Sequence, residues 1–284
     1  MAMYLERDPQ GSFVAVADDG SLAGAVFCFV WGEVGWFGSL AVAPEWQGQG
    51  IGQQLIAAAL DYLARRGCRR IGLETWPNSP LVAHLYTKLG FQTCRSTLKL
   101  SRPVSPAPAP AGFEACWLEG DQPATLSRAA AAVRAVTAAQ TAAASSEPAV
   151  DYVREVRTPV AAGWAEALIV QAPDGSPAAV ALCYLRKPSG GRVAALDTRL
   201  LLVAPGDTQE AALDATLVAI DARASAHGLA TVTCDVNLRY SRAAGLLRER
   251  GFAPIYELTR MERPMPGFDP HARSNLIECA RWAG

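Results

Sequence analysis

The sequence predicts an α/β (α+β) protein of two similar domains in which strands alternate with helices. A short motif occurs twice, as LAVAP at 40–44 and as LLVAP at 201–205, and a Gly-Phe pair follows each copy, at 90–91 and 251–252. Both anchors recur 161 positions later, so the spacing between them is the same in the two halves. Recurrence at a fixed period indicates a repeated structural unit. A chain of 284 residues is long enough for two domains of ordinary size.

The predicted first domain covers residues 1–100. Runs of apolar and β-branched residues separated by turn sequences predict its strands. These strands are expected at 12–17, at 22–31, from the turn at 32–35 to Ala43, at 69–76 and within 91–100. Helices are expected at 51–68 and 81–89, because Gly67 and Gly90 supply the left-handed residue that often ends a helix.

Residues 101–112, SRPVSPAPAPAG, are predicted to link the two domains. Four prolines make this segment semi-extended and unsuited to the interior of a sheet. A second domain at 113–265 then repeats the alternation, and a tail helix is expected within 266–284. Its strands are expected at 113–118, 199–203, 229–236 and from 252 onward, and its helices at 121–144, 207–227 and 241–250.

Composition and charge narrow the class of function. Hydrophobic residues make up 50% of the chain and charged residues 19%, which favours packed cores over disorder. A net charge of −1 without a basic block argues against nucleic acid or an anionic membrane surface as a partner. The sequence has no apolar run of membrane-spanning length, no signal-like start and no CxxC among its seven cysteines. We therefore expect a cytoplasmic protein with reduced thiols and no metal site.

A glycine-rich turn is the strongest candidate for a binding site. The strand that contains Leu40 stops at Pro44, and Gln47-Gly48-Gln49-Gly50-Ile51-Gly52 leads directly into a helix. The first N–H groups of a helix lack internal partners and carry partial positive charge, and glycines let an anion approach the backbone. The turn is predicted to hold the pyrophosphate of a nucleotide-bearing cofactor. The alternative is that its glycines only pack the strand against the helix.

These motifs together resemble the GCN5-related N-acetyltransferase (GNAT) family. The resemblance rests on Gln47-x-x-Gly50-x-Gly52 after Val-Ala-Pro, on Asn78 after the next strand, and on LYTKLGF at 85–91. It covers 12–100 well, whereas only the framework matches in 113–264. It implies two GNAT-like domains, each a twisted, mixed, mostly antiparallel sheet flanked by helices.

The resemblance also implies acetyl-CoA as co-substrate and a role for each matching position. The strand backbone of Leu40, Ala41 and Val42 would bind the pantetheine arm where two central strands separate, and Asn78 would hydrogen-bond the cofactor. Tyr86 would stand near the thioester sulfur and protonate the departing thiolate while a neutral amine attacks the acetyl carbonyl. The pyrophosphate would lie on the backbone N–H groups of Gln47, Gly48, Gln49, Gly50, Ile51, Gly52 and Gln53.

Two carboxylates are candidates for the general base that deprotonates the amine. Glu33 lies in the turn before the cofactor strand, and Glu74 lies on the following strand. Either could act through a water molecule. A solvated surface position is the alternative for both.

The second domain departs from the family pattern where the chemistry would lie. Gln47, Gly50 and Gly52 correspond to Thr208, Ala211 and Leu213, and Tyr86 corresponds to Leu247, which cannot donate a proton. We therefore expect one active domain, the first, and a second that is structural or shapes the substrate site.

The first domain has a departure of its own. Family members wall the acceptor side with an opening strand and helices, which are missing before Met1. Either the true start lies upstream or another segment covers the exposed face, and the candidates are a tail helix at 270–283 and the second domain. We favour the covering segment, because the tail otherwise lacks a role.

The sequence as a whole favours an acetyl-CoA-dependent N-acetyltransferase that acts on a primary amine of a small molecule or peptide by direct attack in a ternary complex. The alternative is a catalytically silent acyl-CoA-binding or scaffold protein. Neither hypothesis involves a metal, nucleic acid or a membrane, and a homodimer is left open.

Overall fold

The structure is a computed structural model that describes residues 2–77, 80–144, 148–186, 194–263, 269 and 273–280. The first half contains α1 (Ala2–Arg7), β1 (Ser12–Val16), β2 (Leu22–Trp31), β3 (Val34–Val42), α2 (Ile51–Arg65), β4 (Arg70–Thr75), α3 (Pro80–Lys88), β5 (Gln92–Thr93) and β6 (Thr97–Pro103). The second half contains β7 (Glu114–Leu118), α4 (Pro123–Ala143), α5 (Val153–Ala161), β8 (Glu166–Gln171), β9 (Pro177–Arg186), β10 (Ala195–Val203), α6 (Gln209–Ala226), β11 (Thr231–Asn237), α7 (Ser241–Glu249), β12 (Ala253–Glu262) and β13 (Glu278–Ala280).

All of these strands join one large sheet. Its order is β1-β2-β3-β4-β12-β6-β11-β10-β9-β8-β7, with β13 beside β10 and β5 beside β12. Two pairs are parallel, β3 with β4 and β10 with β11, and the other recorded pairs are antiparallel. The predicted class, a mixed and mostly antiparallel sheet flanked by helices, is confirmed.

The two halves exchange strands at the middle of the sheet. β6 of the first half pairs with β11 of the second, and β12 of the second half pairs with β4 of the first. β6 and β12 also pair with each other, and Thr97 lies opposite Leu258, its own equivalent 161 positions later. A residue that pairs with its repeat equivalent marks a local twofold axis. The halves are therefore related by a pseudo-twofold axis, and the division at 101–112 stays a prediction.

The predicted linker is wrong at residues 101–103, which belong to β6 and pair with β11. Pro103 is the last residue of the strand, where a missing N–H interrupts no further pairing. The neighbouring Arg102 is buried and makes a two-pronged hydrogen bond to Asp221 of α6, at 3.0 and 2.7 Å. This buried ion pair holds the segment in the sheet.

Helices cover both faces of the first-half strands. On one face, Val26, Cys28 and Phe37 pack in a core with Leu55 and Ile56 of α2. The side chains that alternate with them on β2 point to the other face, where they share a core with α4 and α5 of the second half. The residues of this shared core include Phe27, Phe29, Trp31, Val133, Val136, Val153, Val156 and Val160.

The second half therefore covers this face of the first. The indole N–H of Trp31 donates to Glu155 of α5 at 3.2 Å, and Arg7 of α1 contacts the same carboxylate at 3.0 Å. Helix α1, which the sequence did not predict, adds Tyr4, whose ring stacks 4.8 Å from that of Phe27. Of the two candidate covers, the second domain packs against this face, and its role beside an acceptor stays a prediction.

The predicted tail helix is wrong at Glu278–Ala280, which form β13 in the sheet of the second half. Ile277, Glu278, Cys279 and Ala280 are all buried there. An extended segment fits because the edge of β10 offers backbone groups that would otherwise need partners. The remaining positions of the predicted helix are outside the described residues, apart from 273–277, which are not helical.

Candidate functional site

A groove opens between the two central strands of the first half. β3 and β4 pair only at 34–36 with 70–72, although each strand continues beyond that point. β3 also carries a bulge, because its register against β2 shifts between Gly38 and Ala41 and Ser39 has a φ of +51°. A bulge bends its strand and increases the local twist, so β3 turns away from β4. Leu40, Ala41 and Val42 lie on the separated part.

The glycine-rich turn lies where β3 ends and α2 begins. Gly48 and Gly50 have φ values of +78° and +82°, which glycine adopts at no steric cost. A Cβ at either position would meet nothing within 4 Å, so the surface of the turn is open. The side-chain amides of Gln47 and Gln49 brace it by donating to the backbone oxygens of Val42 at 3.0 Å and Glu45 at 3.2 Å.

The N-terminus of α2 has no side-chain cap. Gly50 is the capping residue, so the backbone N–H groups of Ile51, Gly52 and Gln53 in the first turn have no side-chain acceptor from it. The 15-residue helix adds partial positive charge at the same point. These N–H groups can donate hydrogen bonds to the oxygens of a pyrophosphate.

Tyr86 lies at the closed end of the groove. Its ring is 6.1 Å from that of Phe37, the first residue of β3 beyond the pairing with β4, and 5.9 Å from that of Phe91. Burial raises the pKa of Tyr86 to about 12, so the phenol keeps its proton through the neutral range. Among the described residues, none hydrogen-bonds its hydroxyl.

The two candidate bases lie at different places. Glu74 is half-buried two residues beyond Gly72, where β4 leaves β3, and its carboxylate accepts a hydrogen bond from the Thr97 hydroxyl. Its neighbour Leu73 packs in the core that contains Tyr86. Because successive strand residues face opposite sides, Glu74 and Tyr86 flank the groove from opposite faces of the sheet.

Glu33 lies at the far end of β3, about 13 Å along the strand from Phe37. Its carboxylate is 3.4 Å from Arg69 and accepts the backbone N–H of Ala149 at 3.1 Å. The structure therefore brings Glu74 and Tyr86 to the closed end of the groove and leaves Glu33 outside it. Asn78, the remaining predicted site residue, lies outside the described residues.

Aromatic residues from both halves line the sheet beyond Glu74. Trp76 has 55% of its surface exposed, and its ring is 5.3 Å from that of Tyr256 on β12. Trp36, in contrast, is buried over Gly72, where a Cβ would lie 2.2 Å from the indole. Sequence reasoning missed Tyr256, because only the strand exchange brings it to this site.

The chain itself fills the equivalent groove of the second half. β10 and β11 also pair over three residues only, at 196–198 with 232–234. Beyond that point β13 pairs with β10 at 200–202, the equivalents of 39–41. Gln140 of α4 secures the insertion by donating to the backbone oxygens of Val203 at 3.0 Å and Ile277 at 3.2 Å.

Two further findings concern the described residues alone. They contain no helix that is both long and apolar enough to cross a membrane. They also contain no group of three or more His, Cys, Asp and Glu side chains placed to hold a metal ion.

Comparison with known families and proteins identifies relatives of the first half. Residues 1–91 match the Acetyltransferase (GNAT) family. Streptothricin acetyltransferase of Streptomyces lavendulae is 40% identical over 86 residues, which are 29% of this chain and 45% of that protein. N-alpha-acetyltransferase 30 of Schizosaccharomyces pombe is 36% identical over 99 residues, which are 32% of this chain and 63% of that protein. The chain thus spans about half the length of these two relatives.

Among solved structures, the fold extends over nearly the whole chain. A tandem GNAT protein from the clavulanic acid biosynthesis pathway covers 95% of this chain and 88% of its own, with a TM-score of 0.55 and 15% sequence identity. At that identity the likeness concerns the fold alone.

Proposed function

We propose that this chain, which carries a GNAT-family domain in residues 1–91 within a tandem GNAT fold, is an acetyl-CoA-dependent N-acetyltransferase whose first half is active. The observation that carries the proposal is the groove between β3 and β4, with the open glycine turn at one end and Tyr86 at the other. The second half has Leu247 at the position of Tyr86 and β13 in its groove.

The first half fits acetyl-CoA at both ends of the groove. The turn from Gly48 to Gly52 exposes backbone and an uncapped helix start, which suits a pyrophosphate. The separated edge of β3 at 40–42 offers backbone hydrogen bonds to an amide-bearing arm. Acetyl-CoA supplies an activated thioester when bound.

Tyr86 and Glu74 have complementary tasks in this proposal. Tyr86 carries its proton at neutral pH and gives it to the thiolate as that group leaves. Glu74, on the opposite face, takes the proton of the attacking amine, directly or through a water molecule. An acid and a base on opposite sides of the reacting carbon can act without exchanging the proton with each other.

The acceptor is a primary amine on a small molecule or a peptide. Two relatives are named streptothricin acetyltransferase and putative [ribosomal protein bS18]-alanine N-acetyltransferase, so a small molecule and a protein both occur among the named acceptors. Trp76 follows Glu74 by two residues and contacts Tyr256, and both aromatic residues are proposed to contact the acceptor. Seven free cysteines support the cytoplasm as the location.

The experiment combines acetyl-CoA binding with release of free thiol in the presence of a panel of amines. We expect acetyl-CoA to raise the Tm of the full chain. Tyr86→Phe should lower kcat by about 10²–10⁴-fold with an unchanged Kd for acetyl-CoA, since the ring packing remains. Glu74→Gln should lower kcat and remove the acidic limb of its pH profile, whereas Glu33→Gln should change kcat less than about twofold.

Three results would contradict the proposal. Absence of any stabilisation by acetyl-CoA would exclude the cofactor. Binding without turnover on any amine would support the silent acyl-CoA-binding alternative. Full activity of Tyr86→Phe would exclude this residue as the acid.

A further inference from the structure

A cavity separate from the groove between β3 and β4 lies beside α7, where that helix meets β6 of the first half and β12 of the second. Its volume is about 470 Å³, which lies in the range of small-molecule sites. The floor is apolar and consists of Leu98, Leu100, Leu238 and Phe252. The cavity shares no lining residue with the groove of the first half or with the glycine turn.

Positive charge surrounds this apolar floor. The rim carries Arg95, Arg248 and Arg273, and none of the described residues that line the cavity is acidic. Arg248 and Arg273 make no side-chain hydrogen bond or ion pair with any described residue. By contrast, Arg242 of the same helix pairs with Glu210 at 2.8 Å, and Arg250 just after it pairs with Asp214. Among the described residues, Arg248 of α7 and Arg273 thus have no carboxylate partner at the cavity, whereas the other two arginines in and just after α7 do.

A glycine in the middle of α7 keeps the cavity wide. Gly245 lines the cavity, and a Cβ at this position would meet nothing within 4 Å. Its backbone is helical, so no left-handed conformation requires glycine there. Glycine inside a helix is less stable than alanine. Neither packing nor conformation explains this residue, whereas room for a ligand does.

We propose that this cavity binds a small molecule with an anionic headgroup, a carboxylate or a phosphate, on an apolar body. Arginine forks bind both headgroups through paired N–H donors, and the leucine and phenylalanine side chains would bury the body. The proposal is independent of acetyl transfer, because none of the residues that line this cavity takes part in the proposed reaction.

Calorimetric titration of the full chain with decanoate, decyl phosphate and 1-decanol tests the proposal. We expect at least one of the two anions to bind, and 1-decanol to bind at least tenfold more weakly. The preferred anion identifies the headgroup. The double variant Arg248→Ala/Arg273→Ala should weaken anion binding at least tenfold, whereas Arg242→Ala on the same helix should leave it unchanged.

Two further variants separate this cavity from other sites and from misfolding. Gly245→Leu should abolish binding while the Tm is kept, because the side chain would occupy the cavity without a backbone change. Gly50→Val, in the glycine turn of the first half, should leave anion binding at this cavity unchanged. Equal binding of decanol and the anions, wild-type binding by the double variant, or displacement of the anion by coenzyme A at the glycine turn would each overturn the proposal.

Discussion

Leu40 and Leu201 occupy equivalent positions, 161 residues apart, on the strand that borders the central groove of each half. Leu40 is only partly buried, on the part of β3 that has left β4. Leu201 is fully buried and lies opposite Cys279 of β13. Within the described part of the chain, the same strand separation thus leaves the β3 edge without a paired strand in one half, whereas β13 pairs with the equivalent edge in the other.

The two halves differ in what is available to pair with the backbone groups that strand separation exposes. Strands that separate leave backbone N–H and C=O groups without a partner, and these groups need a strand, a ligand or water. In the second half β13 is part of the folded chain and pairs with this edge, so the filled groove stabilises the folded protein. In the first half the edge is available to a ligand. The glycine turn is present only beside the available edge, which agrees with a division into a binding half and a supporting half.

The largest expected effect comes from truncating the two leucines. Leu201→Ala should lower the free energy of unfolding by about 2–5 kcal/mol, since it leaves a cavity under β13. Leu40→Ala should cost less than about 1 kcal/mol, because its side chain is already partly in solvent. Urea unfolding of the two variants measures the difference. A similar loss of unfolding free energy in the two variants would mean that the two leucines are equally buried and would contradict an open groove in the first half.

The second prediction concerns the contact between β4 of the first half and β12 of the second, and how its contribution to stability depends on pH. Glu262 of β12 accepts hydrogen bonds from Arg70 of β4 at 2.8 and 2.9 Å and from Arg260 at 2.6 Å. Burial disfavours its charge, but the cations of Arg260 and Arg70 outweigh this and hold the pKa of Glu262 at about 2. The twofold-related positions hold Ser101 and Thr231, so the ion pair is present on one side of the axis only.

A carboxyl whose pKa is lower in the folded state stabilises that state above the unfolded pKa, and the contribution disappears as the pH falls through the folded pKa. For Glu262 about 3 kcal/mol should be lost between about pH 4.5 and pH 2. Urea unfolding at a series of pH values should give a steeper acid loss for the wild type than for Glu262→Gln. Parallel curves would show that this pair does not stabilise the contact between β4 and β12.

The third prediction compares the glycine turn with its counterpart. Gly50→Val forces a β-branched residue to a φ of +82°, which should distort the turn and lower acetyl-CoA affinity by about 10–100-fold. Ala211→Val, at the equivalent position inside α6, should leave the affinity unchanged. Calorimetric titration with acetyl-CoA measures both. An equal loss in the two variants would contradict a site confined to the first half.

Local patterns predicted much of the first half. The strands at 12–17 and 22–31 and the helix at 51–68 correspond to β1, β2 and α2 within a few residues, because turn residues and glycines mark their ends. The stretch at 145–198 was not assigned, although it contains α5, β8 and β9. Short apolar runs such as EALIVQ are ambiguous between a strand and a buried helix, and Pro159 lies inside α5.

Some residues of the candidate site could also be predicted from sequence, and others could not. The glycine turn and Tyr86 could be found from sequence, because each belongs to a short motif that can be recognised from consecutive residues. The choice between Glu74 and Glu33 could not be made from sequence. Each lies in or beside a strand that borders the groove, and the extent of the β3–β4 pairing places only Glu74 where the two strands separate. Tyr256 lies 180 positions from Trp76 and carries no local sign of their contact.

The amino-acid sequence is enough to predict the order of strands and helices around the glycine turn, the repeat at 161 positions and the absence of a tyrosine equivalent to Tyr86 from the second copy. It does not predict the strands that β6, β12 and β13 pair with, or that the second half covers the first. These features escape a sequence pattern because every strand edge offers the same backbone donors and acceptors. The pattern of apolar and polar side chains predicts where a strand lies and which face it buries. Which strand pairs with it depends on burial of apolar surface across the whole molecule.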